Sequence, residues 1–532
     1  MNDDQVQGVE EANGWTRRRF LTASVGGLAV AGLGGALSAC SSSGSAKGSA
    51  SGSASASPKK GGTLRLGTGG GASSDTLDPQ AWYTYADQMR VQQLFDPLVW
   101  VANDGTAQLV LATSITPNAD ATQWEIKIPA GVTTHSGKPF TADDVLYSFQ
   151  RIVTNKSPAM AVLGPVDLKS SKVVNPTTVL LQYSKPFSVL VDALSLSYFY
   201  MVPRGFDPKK PDGTGPFKFE SFTPGVQSVF VRNDNYWRKG LPYLDKIITI
   251  DIADESAQVS GLQAGQFDVI NALSAGSVAG LQGGGFTVDV SKSGTWVPFT
   301  QNADTKPFSD VRVRQAMRLI PNRQQMNEQV YGGHGLIGND VFSPYDPSFP
   351  TDLPKREQDI PQAKALLKAA GYEGLAVELY TCPAGPGEVS LAQVYATQAK
   401  DAGVNVSIKQ QSVGDFYTTP YLHVPFAMDY GFNQLFLVNA AQLQAPGAAY
   451  NANHFNDPEY NSLYNTAIAT VDQAKRKELI QQMAKIDYER GGYIIPVFTP
   501  GIQAYTSNVG GIKPSVTGVT PGNADFANFF LS

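Results

Sequence analysis

Two cysteines in 532 residues, Cys40 and Cys382, supply no framework for a disulfide-built architecture. Histidine is equally scarce. His135, His334, His423 and His454 are the four present, and no two stand at the close spacing that puts paired imidazoles on one helix face. A metal site is therefore not expected. Charged residues make up 16% of the chain and the formal net charge is -5. Without a basic excess there is nothing to hold a phosphate backbone, and nucleic acid is not an expected partner. The chain also lacks a Gly-x-Ser-x-Gly elbow and a His-Glu-x-x-His helix, the patterns that arm a hydrolase with a nucleophile or a metal-bound water. Adjacent carboxylates such as Asp143 and Asp144 stand at a helix start, where capping explains them. The expected protein is not an enzyme and needs no cofactor. What is plentiful is apolar residue, 42% of the chain, enough for two or three lobes with real cores.

The first forty residues read as an address. Thr16-Arg17-Arg18-Arg19-Phe20-Leu21 matches a twin-arginine export signal, with Arg17 and Arg18 as the pair. A glycine-diluted apolar run, too mild for a membrane span, follows to Ala39. Leu37-Ser38-Ala39-Cys40 resembles the bacterial lipoprotein box, in which the cysteine thiol carries diacylglycerol and becomes the first mature residue. Residues 1–39 are then the signal, and 40–60 a lipidated Ser/Gly/Ala tether that has too little apolar surface to fold. With Cys40 on lipid, Cys382 has no disulfide partner within the chain.

Further on, Thr63-Leu64-Arg65-Leu66 alternates as a strand. The glycines at 67 and 69–71 mimic a dinucleotide fingerprint, but Ser73 to Pro79 is loop chemistry where that motif needs a helix. Thr141 with Asp144 forms a capping box for a helix expected to bury Leu146, Phe149 and Val153. Ser309 is the expected cap of a helix burying Val313, Ala316, Met317 and Ile320. Asp359 and Asp472 start two more, the second running to about Arg490, and Tyr493 to Phe498 is an apolar strand. Irregular alternation of helices and strands argues for α/β lobes on mixed sheets.

Five segments carry a family resemblance. They are Gly61 to Leu66 with Leu77-Asp78-Pro79, Gly137 to Val145 with Tyr147-Ser148-Phe149, Gly213-Thr214-Gly215-Pro216-Phe217, Phe308 to Ala316, and the last long helix with Ile494-Ile495-Pro496-Val497-Phe498. In this order, behind a lipoprotein signal, they resemble the family 5 extracellular solute-binding proteins, the peptide- and nickel-capturing components of ABC importers. The resemblance implies a two-lobed periplasmic-binding-protein-like fold (type II, with an extra domain) and a ligand cleft between the lobes. The first lobe is expected from 61–93, 206–300 and 501–532, the extra domain from 94–205, and the second lobe from 301–500. Arg312 and Arg314 are expected in surface ion pairs, and Gly213 and Gly215 in a tight turn.

The same resemblance implies a monomer that captures a solute, a peptide or peptide-like one first of all. It would close on that solute and deliver it to a permease driven by a separate ATPase. A sugar or other non-peptide solute, or a lipid-anchored sensory role for the same fold, are the alternatives. Peptide-binding relatives carry Gly-Trp-x-x-Asp-Tyr, whose aspartate pairs with the peptide's amino terminus. Gly431-Phe432-Asn433-Gln434-Leu435-Phe436 is the counterpart here, with Leu435 in the aspartate's place and Asp429 two residues before the glycine. A leucine leaves an ammonium unanswered, so unblocked peptides are expected to bind poorly. The candidate ligand residues are Tyr83, Tyr85, Trp296, Phe299, Phe432, Asn433 and Phe436, each equally compatible with core packing.

Overall fold

A computed structural model of the chain describes residues 58–532 apart from 83 and 419. The export arginines Arg17 and Arg18, the lipid site Cys40 and the candidate Tyr83 lie outside the described residues. Among the described residues no helix is long and apolar enough to cross a membrane.

Leu64 and Leu66 alternate on Thr63–Thr68 and are wholly buried, each worth about 1.5–3 kcal/mol of hydrophobic stabilisation. This strand lies inside an eight-stranded sheet, parallel to Lys246–Asp251 on one side and Val269–Asn271 on the other. Gln227–Arg232 and Phe217–Thr223 extend the sheet at one edge, and Val497–Tyr505 and Thr287–Trp296 at the other. The first lobe is thus assembled from stretches far apart in sequence.

A second sheet of five strands joins Asn405–Gln410, Ala376–Thr381, Phe426–Met428, Phe299–Gln301 and Tyr493–Ile494, in that order. Its first two strands are parallel, and the helix Glu388–Ala399 makes the crossover between them. The helix Val311–Leu319 packs on this lobe and buries Val313, Ala316 and Met317. Its cap is Asp310 and not Ser309: the Asp310 carboxylate accepts from the Arg312 N–H at 2.9 Å. Arg312 pairs with the same carboxylate at the surface. Arg314 differs from expectation. It is buried and donates to the carbonyls of Phe308 and Arg490, both at 2.7 Å, tying down the end of the long helix Gln473–Arg490.

A third sheet of Ser114–Pro117, Gln123–Lys127, Thr178–Tyr183 and Val166–Asn175 forms the extra domain. The helix Ala142–Thr154 lies against it, and its capping box is closed by the Thr141 N–H donating to Asp144 at 2.8 Å. Val145, Phe149 and Ile152 are the fully buried stripe, while Leu146 and Val153 pack beside it, a rotation of about one residue from the expected face. Gly213 and Gly215 are needed for close approach. A Cβ at either would sit 2.0–2.4 Å from the backbone of Leu94, and neither has a positive φ.

Two short crossovers join the lobes. One runs from Trp296 through Pro298 to Phe299, the other from Ile494 through Pro496 to Val497. The strand expected over 493–498 therefore divides. Tyr493 and Ile494 pair with Thr300 and Phe299 in the second lobe, whereas Val497–Tyr505 pairs with Thr287–Trp296 in the first. Pro496 has no N–H to continue a ladder, and the chain changes sheets there. The lobe boundary expected at 500/501 consequently falls inside one unbroken strand.

Candidate functional site

Where the chain crosses between lobes, apolar residues accumulate. The Trp296 ring is 1% exposed. It stacks on Phe342 at 5.8 Å and meets Tyr493 edge-on at 5.2 Å. Phe342 in turn stacks on Phe436 at 4.8 Å. The Trp296 and Gly431 backbones exchange N–H to carbonyl bonds at 2.9 and 2.8 Å, a single antiparallel bridge. It brings the segment 431–436 against the first crossover. Phe432 is half-buried, edge-on to Tyr430 at 5.4 Å. Asn433 is 6% exposed and lies across Gly294.

Trp296, Phe432, Asn433 and Phe436 are therefore gathered at one junction. The other two described candidates are elsewhere. Phe299 is in the core of the second lobe, wholly buried between Tyr395 at 4.5 Å and Phe426 at 6.1 Å. Tyr85 sits in the first lobe, where its hydroxyl accepts from the Thr520 N–H and lies 3.1 Å from the Thr520 carbonyl. Burial pushes that hydroxyl up to about 12, against the hydrogen bonds to Thr520. Tyr85 anchors the C-terminal loop.

Beside the junction stands the carboxylate that lies two residues before the motif glycine. Asp429 follows the strand Phe426–Met428, and its N–H donates to the carbonyl of Pro298 in the first crossover. The carboxylate is almost wholly buried and accepts from the Tyr430 N–H at 2.8 Å and the Tyr417 hydroxyl at 3.1 Å. Tyr421 packs on Tyr417 at 4.9 Å, and Tyr417 faces Tyr430 at 6.4 Å. Burial pushes Asp429 up to about 6, while the hydrogen bonds from Tyr430, Tyr417 and Tyr421 pull the other way. Behind it, Glu388 accepts from the Gly385 N–H at 2.9 Å, and burial raises it to about 7. Leu435 is buried at the start of the helix Phe436–Leu443 and makes no part of this box. The signal in the sequence was the Asp429-Tyr430 dipeptide together with the aromatic density of Phe416-Tyr417 and Tyr421, twelve and eight residues upstream of the carboxylate. An anionic group walled by tyrosines suits a cation, attracted both by charge and by ring faces.

The lobes meet again far from the crossovers in sequence. Ser188 of the extra domain donates from Oγ to the carbonyls of Ile468 and Thr470 at 3.0 and 2.7 Å, and Arg476 donates to Ser188 Oγ at 3.1 Å. The extra domain is thus bonded directly to the second lobe as well.

Residues 106–423 match the model described as bacterial extracellular solute-binding proteins, family 5 Middle. Heme-binding protein A of Haemophilus influenzae is 24% identical over 472 residues, 80% of this chain and 85% of that protein. The oligopeptide-binding protein AppA of Bacillus subtilis is 29% identical over 353 residues, 63% of this chain and 64% of that protein. Among solved structures, the periplasmic binding protein DppA of Helicobacter pylori, in complex with the peptide STSA, superposes with a TM-score of 0.77 at 21% identity. That match covers 89% of this chain and 98% of DppA. It identifies the fold as the two-lobed periplasmic-binding-protein type, with its extra domain.

Proposed function

Because the chain belongs to the bacterial extracellular solute-binding proteins of family 5, we propose that it captures a peptide or peptide-like solute between its lobes and delivers it, chemically unchanged, to an ABC-type permease powered by a separate ATPase. The observation that carries the ligand class is Asp429, a buried carboxylate inside a tyrosine box beside the interlobe crossover. The ammonium of the solute is the group it answers, which revises the expectation drawn from Leu435 that unblocked peptides bind poorly.

Calorimetry with tetra-alanine and its N-acetyl form tests this. Asp429→Asn is expected to weaken the free-amine peptide about 10- to 100-fold, the worth of a charge-assisted hydrogen bond of roughly 1.5–3 kcal/mol, and to leave the acetylated one unchanged. Burial holds Asp429 at about 6, so its charge is lost as pH falls through that value. Binding of the free-amine peptide is expected to weaken below pH 6 in the wild type but not in the variant. Equal losses for both peptides would remove Asp429 from ligand recognition.

Export and anchoring belong to the same proposal. Leu37-Ser38-Ala39-Cys40 supports lipidation at Cys40, and Arg17-Arg18 supports twin-arginine export of a monomer held at the outer face of the membrane. Cys40→Ser is expected to shed the protein into the medium or leave it unprocessed. A mutant that remains processed and membrane-bound would contradict the anchor.

A further inference from the structure

Two polar atoms at the interlobe junction have no partner, and they are neighbours. The Trp296 Nε1–H is a donor without an acceptor, and the Asn433 Oδ1 is an acceptor without a donor. Both residues are more than nine-tenths buried. Buried polar atoms without partners are rare in folded proteins, because each forfeits its hydrogen bonds to water.

Their placement follows from backbone register. Trp296 and Gly431 form the antiparallel bridge, so Gly294 and Asn433, two residues away on either strand, face the same side. Each large side chain lies across the glycine of the opposite strand. A Cβ on Gly431 would sit 2.5 Å from Trp296 Nε1, and a Cβ on Gly294 would sit 2.1 Å from Asn433 Oδ1. Glycine at both positions is what lets the indole edge and the amide occupy one face, diagonal to each other. The first crossover holds the donor and the second lobe holds the acceptor.

We infer that Trp296 Nε1 and Asn433 Oδ1 form a subsite for an amide of the bound solute, a peptide unit or a carboxamide, the indole donating to its carbonyl and the asparagine accepting from its N–H. One neutral donor beside one neutral acceptor is the complement of an amide, and is a poor match for a carboxylate or an ammonium. This rests on the peptide reading above and adds a second contact, independent of Asp429. Because one residue comes from each side of the junction, an amide held by both also ties the lobes together.

The test uses tetra-alanine and analogues in which each amide in turn is replaced by an ester. In the wild type one ester position is expected to lose about ten-fold in affinity, the worth of one hydrogen bond whose buried acceptor is left unpaired. Asn433→Leu is expected to bind tetra-alanine about ten-fold more weakly and to be indifferent to that ester, while the melting temperature of the free protein holds or rises. In ¹⁵N spectra the Trp296 indole N–H, assigned with Trp296→Phe, is expected to move downfield when tetra-alanine binds. A lower melting temperature for Asn433→Leu with unchanged affinity would make the asparagine structural and overturn the subsite. So would an indole signal that stays in place while the peptide binds. Failure of the wild type to bind any of these peptides would instead overturn the peptide reading, and the subsite with it.

Discussion

Asp340→Ala is expected to destabilise the protein by about 3–5 kcal/mol, the usual result of deleting one member of a buried ion pair. Asp340 is wholly buried and bonds Arg323 through both oxygens, at 3.0 and 2.9 Å, with the Arg356 guanidinium 2.8 Å away. It also accepts from the N–H of Ile495, at 2.9 Å, inside the second crossover. One carboxylate thus joins the start of the helix Arg323–Tyr331, the loop at Arg356 and the strand that connects the lobes. Removing it takes the counter-charge from the buried Arg323 and the partly buried Arg356 and frees the crossover N–H. Burial alone would raise this carboxyl, but the charges of Arg323, Arg356 and Arg318 outweigh burial and hold it below the usual range. A depressed carboxyl contributes stability above the ordinary carboxylate pKa and loses it as pH falls through the folded value. The variant's deficit is therefore expected at neutral pH and should shrink in acid. Denaturant unfolding at pH 7 and pH 3 measures both. An equal unfolding midpoint for variant and wild type at pH 7 would show that the cluster contributes nothing net.

The parts of this architecture that were legible in the sequence are those set by short-range chemistry. Thr141 and Asp144 announce a capping box because both partners lie within one turn. Asp359 and Asp472 start helices for the same reason, their side chains accepting from N–H groups two or three residues on. Ser309 was one residue out, since two adjacent side chains both have capping chemistry and only the packing of the helix decides between them. Asp340 was illegible. Its partners are 17 and 16 residues away on either side, beyond the reach of any local pattern.

The site divides in the same way. The aromatic residues of the junction could be named, but not sorted. Trp296 and Phe299 are three residues apart, yet the crossover at Pro298 sends one to the lobe junction and the other into the second lobe's core. Alternation along one strand does not disclose a change of sheet. Asp429 was noted beside the motif but not placed among the candidate ligand residues, because the ungapped comparison put Leu435 in the aspartate's position. The tyrosine box around it appears only once Tyr417 and Tyr421 fold back over it.

Capture by closure of two lobes around a solute requires the molecule to become more compact when the solute binds. Two sets of contacts reach the second lobe from the rest of the chain: the Trp296–Gly431 bridge at the first crossover and the bonds of Ser188 with Ile468, Thr470 and Arg476. A solute can reach a site between lobes only when they part, so the free protein is expected to sample an opened form. Small-angle X-ray scattering of the protein should show a radius of gyration above the roughly 24 Å of a compact chain of this length. On saturation with tetra-alanine it is expected to fall toward that value, with a midpoint equal to the calorimetric Kd. Saturable binding of the peptide with no change in radius of gyration would contradict capture by closure.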